Sequence, residues 1–424
     1  MRPLGIYIAG NPGNGKSSLI QRLVLRDIKS GAGVCVIDPT SDLVRPLAEW
    51  VPQKHVDRTI YFDTENPVPI DFFSYDSPGE REVLTDQLLD VFNLDNAPVS
   101  RPRLQRILGT LFDANENPKI TDEDRCTFLD IQNFIDNPKR KDEILSYAPQ
   151  REQQWRGTIK PQDYVSITER LSPFFESPTL RAMFECKRPK LNIAEVMRKN
   201  LVLLIRLRDF PTDRFIGSLI SAKFQQAAFA REAIPNEADR SNYHLYIDEC
   251  HTILKYAVES FEQILTRARK YKLCLVLANQ LPSDLPKEIQ RKLGTIGTKI
   301  LFQLENPDGR IFAHHFPSPR PARQWWEDDS PPDYLKILQA LPKFRALVLP
   351  SLLTIRTPKF LPSYNSASYA EKIKKRTMDQ YACTNGKDVM GLEDNAPTSA
   401  TANAAIPAHL LPDCSKAEDP PGSG

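Results

Sequence analysis

No apolar run in the 424-residue chain approaches the roughly 20 residues that cross a bilayer as a helix, and no charged-then-apolar leader precedes its first apolar stretch. The expectation is a soluble, cytoplasmic protein without a direct membrane span. Net charge is also small: 56 Lys and Arg against 54 Asp and Glu leave +2 at pH 7. So little charge does not advertise a polyanion partner, and any nucleic-acid contact has to come from basic residues arranged locally. Cysteine is scarce, with seven residues scattered without the close spacing of metal ligands. Cys35 and Cys274 lie inside apolar runs, and the usage as a whole predicts free thiols in a reducing interior.

What is present is globular in composition, 41% hydrophobic and 26% charged, and long enough for more than one core. Short apolar runs alternate with helical patterns. "LGIYIAG" reads as a strand, and Leu19, Ile20, Leu23, Val24 and Ile28 follow it at helical spacing. "VCVIDP", "RTIYFD", "LVLLIRL", "YHLYIDE", "LCLVLANQ" and "TKILFQL" read as further strands. Helices are predicted from about Thr212 to Glu232 and along a face made by Ile253, Ala257, Phe261, Ile264 and Ala268. Near-continuous apolar strands alternating with helices predict a mostly parallel sheet covered on both faces, an α/β fold.

Between them the periodicity is helical almost throughout, with Val83, Leu84, Leu88, Val91 and Phe92 on one face and Leu104, Ile107, Leu108, Leu111 and Phe112 on another. The division expected is therefore a core in two parts, 1–78 and 191–384, around an all-helical insertion at 79–190. The segment 385–424, rich in Ala, Pro, Ser, Asp and Gly without periodicity, is expected to be a disordered tail.

The first strand ends in a motif of known chemistry. Gly10, Gly15, Lys16 and Ser17 satisfy G-x-x-x-x-G-K-[ST] between a strand and a helix, the arrangement that distinguishes a phosphate-binding loop from a chance turn. Gly10, Asn11, Pro12, Gly13, Asn14, Gly15, Lys16, Ser17 and Ser18 are the expected nucleotide-binding residues. The glycines let backbone N–H groups curl round an anion at a helix N-terminus, Lys16 reaches the β- and γ-phosphates, and the Ser17 hydroxyl is a Mg²⁺ ligand. Hydrolysis needs a carboxylate on the metal side and a group that positions water. "HLYIDE" offers Asp248 for Mg²⁺ and Glu249 as general base. Gln280, at the end of "LCLVLANQ", is placed to orient water or to satisfy its loop, and Asp38 to touch the site or to cap its turn.

In order along the chain, these pieces resemble the HerA/FtsK-type motor ATPases, most closely the conjugative DNA-transfer coupling ATPases of type IV secretion, the TraG/TraD type. The likeness runs from Leu4 to about Cys383 and includes "VIDPTSDL", "YIDECHTIL", "ARKYKLCLVLANQLPSDL", "GTKILFQLENPDGRIF", "LPKFRALVLP", "RTPKFLP" and "AEKIKKRTMDQYA". It differs at Thr40 and Ser41, where the family commonly has a basic residue and glycine, and it starts at the first core strand, without the family's N-terminal membrane domain.

The resemblance implies a RecA-like P-loop NTPase core with the Gln280 strand between those of the P-loop and of Asp248, binding ATP and Mg²⁺. It implies a homohexameric ring through which DNA passes, with a relaxosome or secretion-channel protein as the partner of the helical insertion. Arg269 and Arg310 match two family arginines, and either is a candidate for the finger that reaches a neighbour's γ-phosphate. A ring-forming DNA translocase is the first function implied. A nucleotide-gated binding module without motor activity, or a packaging or defence ATPase on the same core, is the alternative.

The remaining candidates read as structural. His314 and His315 lack nearby metal-ligand partners, Trp325 and Trp326 sit in a Pro-rich stretch, Cys250 lacks a His–acid arrangement, and His251 reads as a helix-start residue.

Overall fold

Seven apolar runs form strands β1 (Ile6–Ala9), β2 (Gly33–Asp38), β3 (Thr59–Asp63), β4 (Val202–Arg206), β5 (Tyr243–Ile247), β6 (Leu273–Asn279) and β7 (Thr298–Leu301) of the computed structural model, which describes residues 5–92, 99–155, 160–208, 210–256, 258–312, 316, 334–359 and 366–383. All seven are parallel. Two more strands, β8 (Arg345–Leu349) and β9 (Leu353–Arg356), add antiparallel at one edge to give the order β3-β4-β2-β5-β6-β1-β7-β8-β9. β6 thus lies between β5 and β1, as the resemblance implies.

Alternation along each strand divides the interior in two. Ile6, Ile8, Val34 and Val36 face the helices α1 (Lys16–Lys29) and α2 (Val44–Trp50), while Tyr7, Ala9, Cys35 and Ile37 face the other layer. Between β2 and α2, buried Asp38 is a turn cap: its Oδ1 accepts from the Thr40 and Ser41 N–H groups and the Thr40 hydroxyl, and its Oδ2 from the Leu43 and Val44 N–H groups. Ser41 takes the left-handed conformation (φ 67) that glycine adopts without cost, held there by donating its hydroxyl to Leu207 O at 2.6 Å.

The second layer begins with α3 (Pro78–Val91), capped by Ser77, whose hydroxyl accepts from Glu80 N at 3.3 Å. It continues through α4 (Ser100–Asn115), α5 (Asp130–Asp136), α6 (Pro138–Tyr147), α7 (Val165–Glu176), α8 (Pro178–Glu185) and α9 (Ile193–Arg198) to α10 (Pro211–Ala230). Among the described residues between β3 and β4, the sole β pairing is an isolated bridge from Ile70 to Leu191. The rings of Phe92, Phe128 and Phe174 lie 5.6, 6.1 and 5.1 Å from that of Phe215 on α10, so the helices between β3 and β4 share one core with the sheet's second face. No helix among the described residues is long and apolar enough to cross a membrane.

After β5 the expected single helix is two, α11 (His251–Leu254) and α12 (Val258–Arg267), followed by a 3₁₀ turn at Ala268–Tyr271. Tyr256 N donates to Ile253 O, a tight turn that ends α11 and breaks the register; Ala257 lies outside the described residues. Helices α13 (Lys287–Lys292), α14 (Asn306–Ile311) and α15 (Tyr334–Ala340) flank β7, and α16 (Ala367–Tyr381) closes the described chain.

α16 covers the outer edge of β3. Thr377 Oγ1 accepts from Tyr61 N at 3.1 Å, and Arg376 donates to the Asp57 and Thr59 carbonyls. An edge strand whose polar groups are met this way is closed to further pairing. Thr377→Val is expected to leave the buried Tyr61 N–H unmet and to lower unfolding free energy by about 1–2 kcal/mol, measured by urea denaturation.

The expectation that the thiols stay free is corrected at one pair. Cys186, after α8, and Cys383, after α16, form a disulfide with Cα atoms 6.1 Å apart, since the fold brings together two helix ends 197 residues apart in sequence. Cys35, Cys126, Cys250 and Cys274 keep their thiols and are buried. The expectations for His314, His315, Trp325, Trp326 and the tail 385–424 lie outside the described residues.

Candidate active site

Parallel strands in register end together, and the ends of β2, β5, β6 and β1 bring Asp38, Asp248, Gln280 and Gly10 to one edge of the sheet. Backbone bonds fix these ends: Asp248 N donates to Ile37 O at 3.1 Å, Cys250 N to Ala278 O at 2.9 Å and Phe302 N to Ala9 O at 2.8 Å. This carboxyl edge, where loops leave for helices on both faces, is where open α/β sheets bind ligands.

The loop between β1 and α1 turns on glycine. Gly10 (φ 151), Gly13 (φ 74) and Gly15 (φ 105) all have positive φ. A Cβ on Gly10 would come within 2.4 Å of Phe302 Cβ, so no other residue fits where the loop leaves the sheet. Asn11 N donates to Gln303 O at 3.1 Å, and Asn14 Nδ2 to Gln303 Oε1 at 3.4 Å. Pro12, Gly13 and Ser17 are exposed and Ser18 is half-buried, which leaves the first turn of α1 accessible to an anion. Lys16 Nζ donates to Gly10 O at 2.6 Å within the loop. Burial lowers its pKa, opposed by the charges of Glu249 and Asp248.

Across β6 stand two acids. Asp248 is buried, and its pKa is pushed up to about 7, first by burial and then by the charges of Glu249 and Asp38. Its Oδ1 accepts from Glu249 N at 3.1 Å. Glu249 is in the left-handed region (φ 39), uncommon for a residue with a side chain, and such outliers gather at functional sites. Its Oε1 accepts from Gln280 Nε2 at 2.7 Å, while its buried Oε2 has no hydrogen-bond partner among the described residues. A carboxylate held on one oxygen and bare on the other can accept a proton from water.

Two buried acids with Lys16 as the nearby full positive charge fit a divalent cation, which would offset the burial and repulsion that raise Asp248. Asp248 and the exposed Ser17 hydroxyl are the side chains that would hold it. No group of three or more His, Cys, Asp or Glu converges among the described residues. That suits Mg²⁺, which keeps waters and phosphate oxygens as most of its ligands.

Sequence reasoning missed His251 and Asn279. His251 Nδ1 lies 2.7 Å from Asn279 Oδ1 and 3.7 Å from Glu249 Oε2. Asn279 Nδ2 donates to Leu281 O at 2.6 Å, which leaves Oδ1 as acceptor and puts the proton on Nδ1 of His251. The end of β6 therefore grips both the acid and the histidine two residues beyond it, a juxtaposition made by strand order rather than by chain proximity. Cys250 between them is buried, which pushes its thiol well above the ordinary range.

The two arginines are placed differently. Arg310 is exposed on α14, which follows β7 at the same edge as the loop, and neighbouring Asp308 accepts from Ser283 N at 2.8 Å. Arg269 belongs to the turn before β6, at the opposite edge, so seven strand residues, roughly 20 Å, separate its backbone from the loop of its own chain. Its side chain lies outside the described residues.

No protein-family model and no curated protein matches the chain. Solved structures do. The chain is similar to the conjugative coupling protein TrwBΔN70 in an unbound form, at 15% identity over 86% of this chain and 88% of that one, with a TM-score of 0.57. It is similar to TrwB in complex with ADP and Mg²⁺, at 15% identity over 87% and 88%, TM-score 0.52. It is also similar to VirB4 of Thermoanaerobacter pseudethanolicus, at 16% identity over 87% and 91%, TM-score 0.52. The fold is the one these structures share, a mostly parallel RecA-like P-loop NTPase sheet.

Proposed function

We propose that the chain is a Mg²⁺-dependent ATPase that works as a DNA-translocating motor. The observation that carries this reading is the convergence of Lys16, Asp248, Glu249 and Gln280 at one sheet edge, with one Glu249 oxygen bare and the other held. The glycine loop and Lys16 bind the phosphates; Glu249 Oε2 takes the proton of the attacking water, and Gln280 holds the carboxylate in place through Oε1. When bound, Mg²⁺ supplies charge neutralisation on the β- and γ-phosphates.

At this edge Lys16 is the chain's own cation for the phosphates, and charge spreading over the transferred phosphoryl group calls for a further one. Arg269, remote from its own loop, and Arg310, exposed at the loop's edge, are the candidates to supply it from a neighbouring copy in a homohexameric ring. The neighbours whose names describe conjugative and plasmid coupling support a role in DNA transfer, with residues 79–190 as a helical insertion that meets a relaxosome or secretion-channel protein. Displacement of a triplex-forming strand from duplex DNA tests translocation. ATP-dependent displacement by the wild type, lost in Lys16→Ala, is expected; displacement that proceeds without ATP sinks the motor.

His251→Ala is expected to lower kcat roughly tenfold with KM for ATP changed less than about threefold, because the imidazole orients a group that acts in the transition state rather than binding substrate. Steady-state kinetics on both variants of the pair, His251→Ala and Asn279→Ala, should show losses that do not add in the double variant.

A further inference from the structure

Phe344 precedes β8 in left-handed backbone (φ 64), where a bulky residue persists only if its surroundings enforce it. The surroundings are the phosphate loop itself. Phe344 N donates to Asn14 O at 3.0 Å, and Phe344 O accepts from Thr357 N at 2.7 Å. The half-buried ring lies against Gly15, where an added Cβ would come within 2.9 Å of Phe344 Cδ1 and 2.8 Å of Thr357 Oγ1. The base of the β8–β9 hairpin is therefore clamped to the residue that opens α1.

Directly beyond the clamp, Arg345 and Arg356 are opposite partners in the antiparallel ladder, and both are exposed. Like charges set directly across a strand pair repel, and an anionic or electron-rich group between them offsets that repulsion. An unfavourable backbone conformation and an unfavourable charge pair thus sit side by side at the rim of one loop.

We infer that Phe344, with Arg345 and Arg356 beside it, forms the nucleoside end of the nucleotide site. The ring is the platform on which the heterocyclic base of the triphosphate stacks, and the guanidinium groups stack on or donate to the base and ribose. The inference rests on the reading of Gly10–Ser18 as the phosphate cradle. It adds the element that distinguishes a nucleoside triphosphate from a bare polyphosphate.

The test is isothermal titration of the full chain with ATP and, separately, with inorganic tripolyphosphate in the presence of Mg²⁺. The wild type is expected to bind ATP roughly tenfold or more tightly than tripolyphosphate, the size that base–aromatic stacking contributes. Phe344→Gly keeps the left-handed backbone at no steric cost, and it should bring the two affinities close to equality by weakening ATP alone. Phe344→Tyr should keep the difference. A second variant leaves the ring in place: Arg345→Gln with Arg356→Gln should weaken ATP about threefold or more and melt no lower than the wild type, because a repulsion is removed. An ATP to tripolyphosphate ratio unchanged in Phe344→Gly, or an ATP affinity unchanged in the double variant, overturns the inference. If the wild type binds neither ligand, the phosphate-cradle reading fails, and the inference with it.

Discussion

Glu249→Gln is expected to lower kcat for ATP hydrolysis by about 10²- to 10⁴-fold while ATP affinity changes by less than about threefold. The amide matches the carboxylate in shape, and its Oε1 still accepts from Gln280, so the fold of the site is kept. What is lost is the basicity of Oε2, the oxygen that has no hydrogen-bond partner among the described residues. Nucleotide binding does not depend on that oxygen, whereas proton removal from water does. Single-turnover hydrolysis and nucleotide binding, measured on the same preparation, separate the two effects. A variant that binds ATP and hydrolyses it at the wild-type rate removes Glu249 from the chemistry.

Asp248→Asn is expected to stabilise the nucleotide-free fold at pH 8 by on the order of 4 kcal/mol and to abolish hydrolysis. The sign follows from the proton count. Asp248 holds its proton up to about pH 7 in the folded chain, against an ordinary value of 3.8, because burial and the charges of Glu249 and Asp38 disfavour its ionised form. Between those values the folded state binds more protons than the unfolded one, so this residue's contribution to stability is full below about pH 4 and falls as pH rises towards 7. Above 7 the wild type carries the whole penalty and the asparagine variant carries none. Urea denaturation at pH 5 and pH 8 should show the gap between variant and wild type widening with pH. Mg²⁺ should raise the wild type's stability at pH 8 more than the variant's. A gap independent of pH contradicts the assignment of the shift to Asp248.

The sheet was legible because its seven parallel strands are buried on both faces, which makes each a short apolar run that a single sequence displays. The loop was legible because glycine, lysine and serine at fixed spacing have few other uses between a strand and a helix. Asp248 and Glu249 could be read for the same reason, as polar residues ending an apolar strand. Non-local pairing was less accessible. Nothing in the spacing of Cys186 and Cys383 announces a disulfide across 197 residues, since the bond depends on α16 lying along the β3 edge. His251 looks like a helix-start residue until strand order sets Asn279 beside it. The role of Asp38 was undecided in the sequence, because a carboxylate after a strand serves a turn as readily as a site. Five donors from its own turn and the next helix decide for the turn. The single helix expected after β5 is broken at its first turn, where apolar spacing persists across the break and carries no mark of it.

Ser41 shows how a residue with a side chain can be held in a backbone conformation that favours glycine. Its backbone adopts the glycine conformation, and side-chain bonds to Leu207 O and from Arg206 hold it there. Local hydrogen bonding thus holds the turn.

The central claim is that the edge formed by Lys16, Asp248, Glu249 and Gln280 hydrolyses ATP in response to DNA. Steady-state ATP hydrolysis by the wild-type chain with Mg²⁺, with and without DNA, beside Lys16→Ala and Glu249→Gln, tests it most directly. The account predicts hydrolysis by the wild type that DNA accelerates and that both substitutions abolish. Hydrolysis no faster than that of Glu249→Gln, or a wild-type rate indifferent to DNA, would contradict it.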